Sequence, residues 1–139
     1  MTLGHIVLKL RQADTYFKNN IVGAVNEEIA KKSILNNYSI AFIIPNKIQT
    51  VSENILDSGI NQLIDGGFSI LIALRNDTTQ SDKLGVTSYS LIDNIRTQFF
   101  KALLGWLQDN DEYIISYDSG KLMNINSAYL LYSFKFNAG

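Results

Sequence analysis

The chain has 139 residues, 46% of them hydrophobic and 11% aromatic, which is enough apolar material for one compact core. It has no Cys, one Pro and one His, so disulfides, thiolate metal sites, iron–sulfur clusters and cysteine nucleophiles are excluded. Twelve basic residues against thirteen acidic ones give a formal charge of −1, without the basic excess that duplex nucleic-acid binding requires.

The first element is an amphipathic helix. Leu3, Ile6, Val7, Leu10, Ala13 and Phe17 recur at three- and four-residue steps, the stripe of a helix buried on one side. Thr2 is its candidate N-cap and Asn19-Asn20 its stop. A short helix follows at Asn26-Glu27-Glu28 through Lys31-Lys32, with acids in its first turn and bases in its last, as the helix dipole favours.

Ser39-Ile40-Ala41-Phe42-Ile43-Ile44 is a continuous apolar run ended by Pro45, the pattern of a strand covered on both faces. Ile48 to Ser52 is a weaker strand candidate. Ile60 to Ile64, Asp65-Gly66-Gly67 and Phe68 to Leu74 read as a β-hairpin, since Asp-Gly suits the positive φ of a tight turn. Asn76 to Asp82 is a polar loop.

Val86, Tyr89, Ile92, Ile95, Phe99 and Leu103 form a second, longer helical stripe, and Gly105 stands where a left-handed C-terminal cap belongs. Beyond Asp109 to Glu112 the period returns to two. Tyr113 to Tyr117 is a predicted strand, Asp118-Ser119-Gly120 a turn and Leu122 to Ile125 a short strand. In the last strand Ala128, Leu130, Tyr132, Phe134 and Phe136 alternate with Tyr129, Leu131, Ser133 and Lys135.

This order predicts an α+β fold: a mainly antiparallel sheet packed by an N-terminal helix and one long helix, as a single domain over residues 1–139. Tyr129 and Leu131 make the second face of the last strand more apolar than a solvated face needs. Either helices cover both faces of the sheet or a partner subunit covers one. No apolar run approaches the roughly 18 residues of a membrane span. Lys9 and Arg11 in the first apolar segment do not fit a secretory leader, so neither membrane nor export is expected.

The residues carry no recognisable catalytic constellation. A calcium loop starting at Asp109 would need Gly at its sixth position and a carboxylate at its twelfth, and those positions hold Ile114 and Gly120. Ser119-Gly120-Lys121 lacks the upstream glycine and following helix of a phosphate-binding loop. Asp65-Gly66-Gly67 lacks a dinucleotide fingerprint. His5 has no second histidine with which to share a metal. Asp77 with Asp82, or Asp57 with Asp65, could serve as acid and base, although Asp is common in turns. Trp106 is either an interface anchor or a core plug beyond the helix end. Neither a cofactor nor a metal is expected.

Several segments, in order, resemble tail terminator-like proteins of long-tailed bacteriophages. They are the helix Leu3 to Phe17, the strand Tyr38 to Pro45, Gln62 before Phe68 to Leu74, and Leu103-Leu104-Gly105-Trp106 at the end of the long helix. Tyr117, Gly120, Leu122 and the closing Tyr132-Ser133-Phe134 extend the resemblance to about residue 136. The chain departs from the family pattern at Gln108, where a proline is common, and at Ser119, where a second glycine is common.

The resemblance implies a structural virion protein, not an enzyme. It would sit as a ring, expected as a hexamer, on the head-proximal end of the tail tube, stopping tube growth and preparing head joining. Its implied partners are copies of itself, the tail tube protein and the head–tail connector, in a virion tail assembled in the bacterial cytoplasm. Loops Asn76 to Asp82 and Trp106 to Glu112 are the expected contact regions. The candidate contact residues are Gln62, Asn76, Asp77, Asp82, Trp106, Asp109, Asp111, Tyr129 and Leu131. A head–tail connector is the main alternative. A small-molecule-binding regulatory domain, or an enzyme using Asp, Glu and Lys alone, are the others.

Overall fold

The computed structural model describes residues 3–13, 15–24, 26–34, 39–46, 66–75, 83–104, 115–125 and 129–138. Their elements run α1 (Leu3–Gln12), β1 (Ile21–Gly23), α2 (Glu27–Lys32), β2 (Ile40–Pro45), β3 (Phe68–Arg75), α3 (Lys83–Leu103), β4 (Ile115–Ile125) and β5 (Tyr129–Ala138). The strands form one sheet of order β1-β2-β3-β5-β4. Only the β1–β2 pair is parallel. The fold is therefore α+β with a mainly antiparallel sheet, as the sequence pattern predicts.

Alternation along the strands sorts side chains onto two faces. On the first face Ala41, Ile43, Ile70, Ile72, Leu130, Tyr132, Phe134 and Phe136 meet Ile6, Val7 and Leu10 of α1 and Ile92, Ile95, Phe99 and Leu103 of α3. Aromatic rings tie this core together: Phe99 meets Phe134 edge to face at 5.5 Å, and Phe68 stacks on Phe136 at 5.4 Å. Such pairs add about 0.5–1.5 kcal/mol each to the burial term. On the second face Ile40, Phe42, Leu71, Ala73 and Leu131 pack with Ala24 and with Ala30 of α2. Helices thus lie on both faces, the first of the two arrangements left open by the sequence. Further along, the second face turns polar, with Ser69 opposite Lys135.

β2 is buried on both sides, which explains its unbroken apolar run. α2 begins at Asn26, whose side chain accepts the Ile29 N–H at 2.9 Å. Glu27 and Lys31 form an i,i+4 pair at 2.9 Å.

Three expectations need correction. α1 ends at Gln12, although its stripe continues in register to Phe17. Phe17 lies in a turn that follows, where Lys18 has φ 52°. Its ring still enters the core and stacks on Phe99 at 6.1 Å, so a turn residue mimics helical spacing. Phe68 to Leu74 is not the second arm of a hairpin with Ile60 to Ile64. β3 has β2 on one edge and β5 on the other over this stretch, leaving no edge for that arm. Gly66 and Gly67 do have the positive φ expected, 79° and 122°. A Cβ on Gly67 would collide with the Phe136 carbonyl.

Finally, Asp118-Ser119-Gly120 is not a turn but the middle of one eleven-residue strand, β4. Asp118 and Met123 are each an extra residue in the ladder with β5, the mark of β-bulges. β1 went without a sequence signal because Ile-Val-Gly is too short to show a period. The weaker strand at Ile48 to Ser52, the loop Asn76 to Asp82 and the cap at Gly105 lie outside the described residues.

Candidate interaction surface

A sheet offers partners two kinds of surface, its faces and its edges, and the faces here are largely covered from within the chain. The two edges are β1 and β4. β1 is three residues long, and the Arg11 Nε–H of α1 donates to its Ile21 carbonyl at 2.8 Å. That bond closes part of an edge that would otherwise offer unpaired backbone groups. β4 is the longer edge. It has no strand on its outer side among the described residues, and Ser116, Asp118, Ser119, Lys121, Leu122 and Asn124 are exposed along it. Lys121, the Asp118 bulge and the Asp118–Lys135 contact at 3.9 Å are the usual means by which an edge resists indiscriminate pairing.

The glycine in the middle of β4 has a specific reason. The position a Gly120 Cβ would take lies 2.6 Å from both the Tyr117 and Tyr132 hydroxyls, so only glycine lets both converge there. Above them sits Arg96 of α3. It hydrogen-bonds Tyr132 Oη at 3.4 Å, pairs with Asp93 at 2.6 Å, and lies over the Phe134 ring with its guanidinium carbon 5.8 Å from the centroid. Burial works against the Arg96 charge, but the hydrogen bonds it donates to Tyr132, Tyr117 and Asp93 outweigh it and hold its pKa above the ordinary value. Burial pushes the Tyr117 phenol up, more than neighbouring Arg96 pulls it down. The phenol stays neutral and the guanidinium charged around pH 7, so this cluster holds α3 against the β4–β5 edge instead of moving protons.

Of the contact residues expected from sequence, Gln62, Asn76, Asp77, Asp82, Trp106, Asp109 and Asp111 lie outside the described residues. Tyr129 is half-buried beside the second-face cluster. Leu131 is 1% exposed and packs inside that cluster, so its contacts are within its own chain. Arg96 and Tyr132 were not among the expected residues. The signal was a glycine between tyrosines in a period-two segment, which also fits a turn. Among the described residues no group of His, Asp or Glu is placed to hold a metal, and no helix is long and apolar enough to cross a membrane.

The sequence pattern of the phage tail terminator protein family matches residues 6–139, nearly the whole chain. The chain belongs to that family. A search of curated proteins finds no match. Membership makes the chain a structural component of the phage tail that works with other tail and head components. This agrees with a molecule whose distinctive described features are a long guarded edge and a locked helix. In this chain Tyr117, Gly120 and Leu122 belong to one bulged strand, with Leu122 38% exposed beside Tyr132.

Proposed function

We propose that the chain caps the head-proximal end of the phage tail tube as a ring, expected as a hexamer, which ends tube growth and prepares head joining. The observation that carries this reading is the family match over residues 6–139. A closed ring needs two different, complementary surfaces on each subunit, and the sheet supports this with unlike edges, one short and partly closed by Arg11, the other long and exposed. Contacts with neighbours and with the tube are assigned to Gln62, Asn76, Asp77, Asp82, Trp106, Asp109 and Asp111, with Tyr129 at the rim of the second face. The partners proposed are copies of the chain, the tail tube protein and the head–tail connector, assembled in the host cytoplasm. Such a cap works by surface fit, with no bond made or broken.

Deleting the gene tests the reading. Loss of a cap gives tails of uncontrolled length. Tails of normal length that fail to join heads would instead make the protein a connector and overturn the capping role.

A further inference from the structure

Away from β4, an open groove of about 680 Å³ is lined by Thr15, Tyr16, Phe17, Lys18, Asn20, Ser39 and Gln98. Across Gln98 a second hollow of about 530 Å³ runs between α1 and α3, lined by Lys9, Gln12, Ala13, Lys101 and Ala102. Three unusual features meet at the first groove. Both non-glycine residues with positive φ among the described residues, Lys18 at 52° and Ser39 at 68°, line it. Such conformations are costly and persist where surrounding structure enforces them, often at binding sites. Thr15 is 3% exposed, yet its hydroxyl has no hydrogen-bond partner, and a buried orphan of this kind calls for an explanation. Gln98 commits its side-chain oxygen to the Tyr16 N–H at 2.6 Å, leaving its amide nitrogen as a donor.

The lining is rich in donors and in positive charge. Lys18 and Lys101 are exposed cations, Thr15 and Gln98 offer neutral donors, and no acid stands among the described residues that line either hollow. A group with acceptors only, carrying negative charge, is the chemical complement, and a carboxylate is that group. The chain carries one dense carboxylate run, Asp109-Asn110-Asp111-Glu112. We propose that the groove at Gln98 receives this acidic segment from a second copy of the chain, supplying the unlike-surface contact that closes the ring. The inference rests on the ring reading above and adds which surfaces meet. Thr15 and Gln98 donate to the carboxylates while Lys18 and Lys101 steer and hold them.

The test uses the purified full chain and tail tubes prepared without it, with capping scored by electron microscopy and the fold monitored by circular dichroism. Lys18→Glu with Lys101→Glu raises the concentration needed for half-capping by about ten-fold or more, as lost charge pairs at an interface do. Asp109→Lys with Asp111→Lys does the same, and combining the two sets restores capping to within about three-fold of the original. Thr15→Val leaves the melting temperature unchanged or higher, because it removes the orphan hydroxyl, and weakens capping.

Lysine variants that fold and cap like the original would overturn the groove while leaving the ring reading intact. Loss in both sets without recovery in combination would show that the acidic segment is not the occupant. Duplex oligonucleotide binding that disappears with the lysine variants would replace the protein partner with a nucleic acid. If the original chain caps no tubes, the ring reading fails and the groove proposal fails with it.

Discussion

Gly120 shows how one side-chain deletion fixes the neighbourhood of a strand. Two tyrosine hydroxyls lie 2.6 Å from where its Cβ would be, so Gly120→Val must displace both Tyr117 and Tyr132 and loosen Arg96 above them. The expected cost is about 1–3 kcal/mol, the range for forcing extra side-chain atoms against neighbours that must shift, read as a lower denaturation midpoint with an unchanged slope. Tyr117 carries a second prediction. Its phenol is raised in the folded chain by burial, so the folded state holds that proton more tightly than the unfolded state does. The resulting stability is fully present below the unfolded value of about 10 and is lost as pH rises through the folded value. Urea denaturation between pH 9 and pH 11 should show this alkaline loss, and Tyr117→Phe should shrink it.

At the scale of elements, the readable parts were those whose local chemistry and tertiary role agree. α2 has Asn26 as its cap, acids first and bases last, so Asn26→Ala should cost about 1 kcal/mol, measured by chemical denaturation. β2 is apolar throughout because both its faces are covered, and Phe42→Ala should cost about 3–5 kcal/mol. The misread segments are those where tertiary structure overrides a local signal. Phe17 continues the α1 stripe by spacing but reaches the core from a turn containing Lys18 at φ 52°. Asp118-Ser119-Gly120 has turn composition, yet pairing with β5 runs from Ile115 to Ile125 and absorbs the extra residues as bulges. The glycine there serves two tyrosines from different strands, a relation that no local window contains. Asp65-Gly66-Gly67 marks positive φ correctly but says nothing about which strand β3 joins.

Across the described residues, helices on both faces of the sheet bury its two apolar clusters, Leu131 included, while Leu8, Tyr16, Ile29, Leu104 and Leu122 stay exposed. The assembly proposed above would draw on the β4 edge and the polar groove at Gln98, surfaces less apolar than the two clusters. The fold class was legible because hydrophobic periodicity reports burial directly. The interaction surface was legible only in part, because it is built from strand order, bulges and an unpaired hydroxyl at Thr15, all of which arise from long-range packing. In the proposed role the chain stops tube growth by seating on one end. Adding the purified chain to polymerising tail tube protein and following tube length by electron microscopy tests it most directly. Growth is expected to halt at the seated end, with bound density at one tip only. Continued elongation at the same rate, or density along the tube wall, would contradict it.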